Sequence, residues 1–380
     1  MRSHNGSLTR PLSHADAHIG WCPVERVSEL QSFIDEHWRR GHVLARDQNL
    51  LLWQNRSDER GRLSVLVAEQ EGRIVGMLGM IGFDASVRGA RHRGGWMTNW
   101  LVVPELRGFG LGRALLGRAL ESGLDVVGAL AANATTQRVL GRLGFAEVVL
   151  ARWIRVFSVA ALEALLEGRK TAYSDAAWAA WRAQEGVERD TDVVATGRAW
   201  DAAGWDTAWD RRLAPQLVAG RRDEAYLRHR FVEHPRFHYE LLTTDDARGE
   251  RGGFAAYRIE VVRGGSGRIM RILDFLACDG TSTAKLLGAL TAAARSEKVA
   301  FADFACTSRL VGEQLAAGGF VREDTLPASL PGRFQPLDFS DRPLVCAFWA
   351  SPRVAPDTRD FFRTPQLYVT RSDSDLDRPS

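Results

Sequence analysis

The sequence has 380 residues, of which 45% are hydrophobic and 26% are charged, so it is long enough for two domains with substantial cores. The formal net charge of +3 gives no strong overall field, which argues against nucleic acid or an acidic membrane surface as a partner. No apolar run reaches the ~18 residues of a membrane-spanning helix, so we expect a cytoplasmic protein without a membrane partner.

The start of the chain and the cysteines narrow the class of protein further. The first 20 residues, MRSHNGSLTRPLSHADAHIG, lack the apolar core of a signal peptide and are interpreted as a disordered leader. None of the four cysteines forms a CxxC pair, so free thiols are expected, with no zinc site and no dithiol redox motif. We therefore predict no bound metal.

The most informative stretch is NWLVVPELRGFGLGRALLGRALESG, from Asn99 to Gly123. The segment 96–103 is apolar and rich in β-branched and aromatic residues, which predicts a buried strand. GRALLGRALESG has apolar residues at helical spacing and ends at Gly123. The glycines between them therefore connect a strand to a helix. There, backbone N–H groups at a helix N-terminus form a cradle suited to a phosphate or pyrophosphate.

The pattern repeats in later segments. LDVVGALAAN predicts another strand, and the stretch 159–186 predicts a helical segment in which Trp178 and Trp181 pack into a core. Further on, RIMRILDFLAC, TAKLLGALTAAARSE and VAFADFAC predict a strand, a helix and a strand. Between the first two lies only DGTSTAK, which lacks the glycine alternation and is expected to hold pyrophosphate poorly. These echoes indicate an internal duplication.

The glycine loop carries a family resemblance. Arg107-Gly108-Phe109-Gly110-Leu111-Gly112, preceded by VVPEL, resembles the acyl-CoA pyrophosphate loop of the GNAT superfamily of N-acyltransferases. The later Asn133, Arg142, Gly144 and Phe145 resemble that family's second segment. The resemblance implies coenzyme A contacts at positions on the strand, on the loop and at the second segment: Leu101, Val102, Val103, Arg107, Gly108, Phe109, Gly110, Leu111, Gly112, Arg113 and Asn133.

The chain departs from the family at one position that bears on chemistry. Many relatives carry a tyrosine that protonates the leaving thiolate, and here the aligned residue is Leu140. No other tyrosine lies between Trp96 and Trp153. A general acid, if one is used, must come from elsewhere, or the thiolate leaves into water.

The duplication and the resemblance together predict an α/β fold of two tandem GNAT-like domains, each a mixed twisted sheet flanked by helices. The predicted organisation comprises an acyl-CoA-binding domain, a helical connection, a degenerate second GNAT-like domain and a C-terminal extension: 1–157, 158–210, 211–350 and 351–380.

This tandem arrangement, with the ending RTPQLYVTRSDSDLDRPS, resembles a narrower group from bacterial surface-polysaccharide clusters. Among these are enzymes that acylate the amine of nucleotide-linked 3-amino-3,6-dideoxyhexoses with acetyl-CoA or 3-hydroxybutyryl-CoA. The resemblance therefore implies an acyl-CoA co-substrate and a dTDP-linked amino sugar. Four residues are candidates for binding that sugar: His238, Asp274, Asp373 and Asp375. The oligomeric state, monomer or dimer, is left open.

Transfer of an acyl group from a thioester to an amine requires an oxyanion donor for the carbonyl oxygen and a proton acceptor near the attacking amine. The resemblance places the donor among the backbone N–H groups of Leu101 to Val103. The candidates for orienting or deprotonating the amine are Asn99, Asp47 and His42. We expect no single essential base, so most single substitutions should lower activity without abolishing it.

Several alternatives stay open at this stage. The acceptor could be another small amine, such as an amino acid or an aminoglycoside, or the chain could bind acyl-CoA without catalysis. The alternating Asp373, Asp375 and Asp377 belong either to a disordered tail or to a docked extended segment with three carboxylates on one face. The pair Arg221–Arg222 is interpreted as solvated, with a clamp for the sugar's diphosphate as the alternative.

Overall fold

The structure is a computed structural model that describes residues 17–166, 172–185, 198–262, 267–334, 337–338, 343–355 and 357–377. Contacts divide the chain into two compact units. Unit 1 consists of residues 1–82 and 97–124, and unit 2 of residues 83–96 and 125–380. The predicted boundaries at residues 157, 210 and 350 stay predictions.

The described residues of unit 1 form four helices and four strands, and the last two strands extend into residues of unit 2. The helices are α1 Val27–His37, α2 Val43–Arg46, α3 Gln48–Gln54 and α4 Leu111–Leu120. The strands are β1 His18–Pro23, β2 Arg62–Gln70, β3 Arg73–Val87 and β4 Ala90–Val102. Single 3₁₀ turns cover Val24–Arg26 and Pro104–Leu106.

The strands of unit 1 follow the order β1-β2-β3-β4, and β2 pairs antiparallel with both β1 and β3. The pairing of His18 with Glu69 places the end of the expected leader in a strand, so the disorder expected for residues 18–20 is wrong. Residues 1–16 lie outside the described residues. β4 begins at Ala90, six residues before the predicted strand start, because local hydrophobicity underestimates a polar strand end.

Unit 2 contains the remaining elements. Its helices are α5 Ala134–Arg142, α6 Val159–Leu165, α7 Asp175–Arg182, α8 Trp205–Ala208, α9 Glu224–Leu227, α10 Gly280–Ser296, α11 Arg309–Ala317 and α12 Thr358–Phe362. Its strands are β5 Val126–Leu130, β6 Ala146–Val156, β7 Arg198–Ala199, β8 Val218–Gly220, β9 Glu240–Asp245, β10 Arg251–Val261, β11 Arg268–Ala277, β12 Phe301–Cys306, β13 Val321–Arg322, β14 Arg333–Phe334, β15 Leu337–Asp338, β16 Leu344–Ala350 and β17 Leu367–Tyr368. Short 3₁₀ or π segments cover Trp209–Leu213, Ala214–Gln216, Arg228–Val232, Glu323–Thr325 and Arg371–Asp373.

The main sheet of unit 2 is mixed, as predicted. Its strands follow the order β5-β16-β6-β12-β11-β10-β9-β7, with β11 and β12 parallel and the other pairs antiparallel. The late strand β16 lies between β5 and β6 and pairs with both, through Cys346 opposite Leu130 and Val148. The strand–helix–strand order of β11, α10 and β12 matches the pattern predicted from the sequence.

The described residues of unit 2 include two apolar cores. One is formed around Phe254, Phe275 and Phe304 by strands β9 to β12 and helix α10. The other includes Trp178 and Trp181, whose rings lie 4.9 Å apart edge to face, so their predicted packing role is confirmed. All four cysteines are free, as expected, and three are buried. Among the described residues, no helix combines the length and the apolar character needed to cross a bilayer.

Candidate functional site

The glycine loop of unit 1 links the end of β4 to α4, as predicted. Gly108 and Gly110 adopt φ values of +84° and +91°, which an L-residue with a side chain rarely adopts. A Cβ at either position would meet no atom within 4 Å. These glycines are therefore required by the backbone conformation and not by lack of space.

The N-terminus of α4 leaves its amides without protein acceptors. Gly110 is the N-cap residue, so no side chain caps the helix. Within the part of the chain that the structure describes, none of the N–H groups of residues 108–113 donates a backbone hydrogen bond. Uncapped amides at a helix N-terminus favour an anion, because both their hydrogen-bonding capacity and the helix dipole point toward it.

The loop is held in place from both sides. Leu111 and Leu115 are buried under α4, and the Trp100 indole Nε1 donates a hydrogen bond of 3.1 Å to the Gly112 carbonyl. The Arg107 Nε donates to the Val102 carbonyl at 2.9 Å, which ties the loop to the strand end. The side chains of Phe109 and Arg113 are exposed beside the free amides.

The strand positions predicted to supply an oxyanion donor are not equivalent. The N–H of Val103 donates to the Val75 carbonyl at 3.0 Å, so it is already used by the fold. The side chains of Leu101 and Val103 are buried, and that of Val102 is half-buried. Val103 is thereby excluded as the donor, while Leu101 and Val102, which lie within β4, stay predictions.

Two of the predicted catalytic residues cap short helices in unit 1. The ring Nδ1 of His42 accepts a hydrogen bond from the Leu44 N–H at 3.3 Å, at the start of α2. The carboxylate of Asp47 accepts one from the Leu50 N–H at 3.0 Å, at the start of α3. Both side chains are buried, and each caps a helix. Any catalytic role of His42 or Asp47 would therefore come in addition to this structural role.

Asn99 belongs to a set of buried polar atoms that sequence reasoning recognised only in part. Among the described residues its Nδ2 has no hydrogen-bond partner, although Asn99 is 2% exposed. Three further buried atoms, on β4 and at the C-terminal end of α3, also lack a hydrogen-bond partner in the described part of the chain: Thr98 Oγ1, Asn55 Oδ1 and Gln54 Nε2. Native folds leave few such atoms unpaired, so this concentration requires an explanation. No sequence motif marked Asn55 or Thr98.

The candidates in unit 2 lie in different environments. Asn133 is exposed, and its Oδ1 caps α5 by accepting the Thr136 N–H at 2.9 Å. The side chain of His238 is 87% exposed, and its Nε2 lies 3.0 Å from the Glu240 carboxylate. Asp375 is half-buried and accepts a hydrogen bond from the Ser374 hydroxyl.

The structure brings Asp274 and Asp373 together on one buried cation. The fully buried Arg222 donates from Nε to Asp274 at 2.8 Å and from Nη2 to Asp373 at 2.5 Å. Burial raises the pKa of Asp373, while the adjacent guanidinium opposes that rise. Tyr368 also donates its hydroxyl proton to Asp274. The solvated interpretation of Arg222 is therefore wrong, since its charge is compensated inside the unit.

The segment that carries Asp373, Asp375 and Asp377 is docked, so the alternative of a disordered tail is wrong through residue 377. β17 pairs with β8, and Asp377 accepts hydrogen bonds from Arg258 at 2.6 Å and from the Tyr239 hydroxyl at 2.7 Å. Asp373 and Asp377 thus pair with different arginines. Among the described residues, no cluster of three or more metal-ligating side chains occurs.

The N-terminus of α10 in unit 2 contrasts with that of α4. Asp279 caps it in a reciprocal capping box with Ser282, accepting the Ser282 N–H at 2.8 Å. Burial raises the pKa of Asp279, but hydrogen bonds from Ser282 and Ala247 outweigh it and hold that pKa below its usual value. A carboxylate of the protein therefore occupies the anion position that α4 leaves open.

Comparisons with known proteins agree with this geometry. Residues 27–145 match the model of the acetyltransferase (GNAT) family. A GCN5-related N-acetyltransferase from Anabaena variabilis aligns with a TM-score of 0.57 at 13% identity, over 90% of this chain and 75% of that one. A probable N-acyltransferase from Enterococcus faecalis gives 0.54 at 12% identity, over 87% and 71%.

Saccharomyces cerevisiae N-myristoyltransferase with bound myristoyl-CoA aligns with a TM-score of 0.52 at 10% identity, over 92% of this chain and 84% of that one. At these identities the likeness to solved structures shows a shared fold. No curated protein sequence gives a significant match.

Proposed function

We propose that the chain is an N-acyltransferase that transfers an acetyl or 3-hydroxybutyryl group from acyl-CoA to the amine of a dTDP-linked 3-amino-3,6-dideoxyhexose. The match of residues 27–145 to the acetyltransferase (GNAT) family model supports the acyl-transfer part. The protein would act in the cytoplasm, and its product would be used in the biosynthesis of surface polysaccharide. The single observation that carries the acyl-CoA part is the set of unpaired amides at residues 108–113.

The placement of coenzyme A in unit 1 is supported by the contrast between two helix N-termini. The amides that begin α4 have no side-chain cap, whereas those of α10 are capped by Asp279. A pyrophosphate would complete the first site and would meet a carboxylate at the second. The neighbour from Saccharomyces cerevisiae, which holds myristoyl-CoA, adds support for a thioester of coenzyme A.

The proposed reaction is a direct transfer. The amine nitrogen attacks the thioester carbonyl, a C–N bond forms, the C–S bond breaks, and one amine proton is transferred to the departing sulfur to give free coenzyme A. An N–H of Leu101 or Val102 would stabilise the oxygen of the tetrahedral intermediate. Leu140 is fully buried and apolar, so that proton would reach the sulfur through solvent.

The sugar rests on the resemblance of the tandem arrangement and the chain ending, which makes the acceptor the part to test. Purified enzyme with acetyl-CoA or 3-hydroxybutyryl-CoA is incubated with dTDP-3-amino-3,6-dideoxyhexoses, amino acids and aminoglycosides, and products are followed by mass together with thiol release. Acylated nucleotide sugar supports the proposal. Acylation of only the other amines refutes the sugar assignment, and coenzyme A binding without any thiol release favours a non-catalytic acyl-CoA binder.

A further inference from the structure

The unpaired polar atoms beside Gly79 form a defined arrangement in unit 1. A Cβ built on Gly79 would fall inside contact distance of Thr98 Oγ1 and 3.6 Å from Asn55 Oδ1. Because residue 79 has no side chain, the Thr98 hydroxyl can lie against β3 at this position, near the Asn55 amide. Neither oxygen has a hydrogen-bond partner within the described part of the chain.

The orientation of the Asn55 amide is fixed by a hydrogen bond from its Nδ2. Its Nδ2 donates to the Leu51 carbonyl at 3.2 Å, and a carbonyl only accepts, so Oδ1 must point away from α3. Asn55 is 4% exposed, which makes an unpaired oxygen there costly. Thr98 is only half-buried as a residue, so the site lies near the surface on that side.

We propose that Asn55 and Thr98 are positioning residues for the acceptor, and that they bind a neutral primary amine. This inference rests on the proposed acyl transfer and specifies the amine end of that same site. Asn55 Oδ1 only accepts hydrogen bonds, and Thr98 Oγ1 has lone pairs to accept a second one. An amine that donates both N–H groups to them keeps its lone pair free to attack the thioester carbonyl.

Their position on the fold agrees with this role. Thr98 lies three residues before Leu101 on β4, the strand whose end supplies the candidate oxyanion donors. At ~3.3 Å per residue this separation is ~10 Å along the strand, the scale on which an amine and a thioester could share one site. Asn55 ends the α2–α3 segment that also carries Asp47.

The decisive variant is Thr98→Val, which keeps the shape of the side chain and removes the hydroxyl. Because the hydroxyl is buried without a partner, its removal should leave the melting temperature unchanged or raise it. If the hydroxyl holds the amine, kcat/KM for the amine should fall by about tenfold through KM, while the Kd for coenzyme A stays unchanged. Thr98→Ser, which keeps the hydroxyl, should restore most of the activity.

A second pair of variants tests the geometry independently. Gly79→Ala places a methyl group where the Thr98 hydroxyl lies and should reproduce the loss of amine affinity. Gly82→Ala on the same strand is the matched control, because a Cβ there meets no atom within 4 Å. Equal KM values for the amine in Gly79→Ala and Gly82→Ala would overturn the proposal.

The acceptors are the dTDP-3-amino-3,6-dideoxyhexose and, at high concentration, 2-aminoethanol. Wild-type activity on 2-aminoethanol alone refutes the sugar assignment, and a tenfold loss in Thr98→Val on that amine still supports the amine site. Kinetic parameters of Thr98→Val equal to wild type on whichever amine is acylated would mean that the two oxygens hold only water, and the proposal fails.

Discussion

Replacing Gly110 by alanine tests the anion cradle most directly. Gly110 is the N-cap of α4 at φ +91°, and a Cβ there meets nothing within 4 Å. The substitution therefore adds no steric conflict, and its whole effect comes from the backbone conformation. An alanine in this left-handed region costs roughly 1–2 kcal/mol.

The protein can respond in two ways, of which the first lowers its stability and the second weakens the cradle. If the loop keeps its conformation, the unfolding free energy falls by that amount. If the loop relaxes instead, the amides of residues 108–113 turn away from a common point. Since about 1.4 kcal/mol corresponds to a factor of ten, we expect coenzyme A affinity to fall by about tenfold in the second case.

The matched control lies seven residues further along the chain. Gly117 is in the middle of α4, has no positive φ, and also has open space at its Cβ position. Gly117→Ala should leave coenzyme A affinity unchanged and stabilise the helix by roughly 0.5–1 kcal/mol. Isothermal titration with coenzyme A and urea unfolding are measured on both variants.

The result that would refute the reasoning is simple. If Gly110→Ala binds coenzyme A as tightly as Gly117→Ala and unfolds at the same urea concentration, the positive φ at residue 110 carries no cost. The cradle would then not depend on the loop conformation.

Two further predictions concern unit 2. Arg222→Leu leaves Asp274 and Asp373 buried without a cation and should lower the unfolding free energy by about 3–5 kcal/mol. The control is Arg309→Leu, because the Arg309 side chain is 81% exposed, and it should change the unfolding free energy by less than ~0.5 kcal/mol. Similar melting temperatures for the two variants would contradict this. His234 is buried, and burial together with the charge of Arg230 lowers its pKa to about 3, so it stays neutral in the fold while it protonates near pH 6.5 in the unfolded chain. Wild-type stability should therefore decline as pH falls below 6.5, by about 2 kcal/mol from this residue at pH 5, and His234→Gln should lack that part of the decline in urea unfolding at pH 7 and 5.

The glycine loop was predictable because its determinants are local. Positive-φ glycines, an apolar strand before them and a helical period after them all fall within 25 residues of sequence, and the structure shows each one. The mixed α/β class follows from the same kind of pattern. Local patterns specify local conformation well.

The buried arginine was not predictable in the same way. Both members of the Arg221–Arg222 pair are buried, and Arg222 is buried completely. Its partners Asp274 and Asp373 lie 52 and 151 residues further along the chain. A pairing over such separations leaves no periodic signal. The unpaired oxygens of Asn55 and Thr98 escaped notice for the same reason, because they converge only in the folded sheet.

The placement of β16 constrains when unit 2 is able to fold during synthesis. β5 and β6 do not pair with each other in the observed order, since Leu344–Ala350 lies between them and bonds to both. A nascent chain that has left the ribosome only up to β6 therefore exposes two unfilled strand edges, which are sites of association with other chains. Completion of this half of the sheet waits for Leu344–Ala350, so those edges stay open while the residues between β6 and β16 are synthesised.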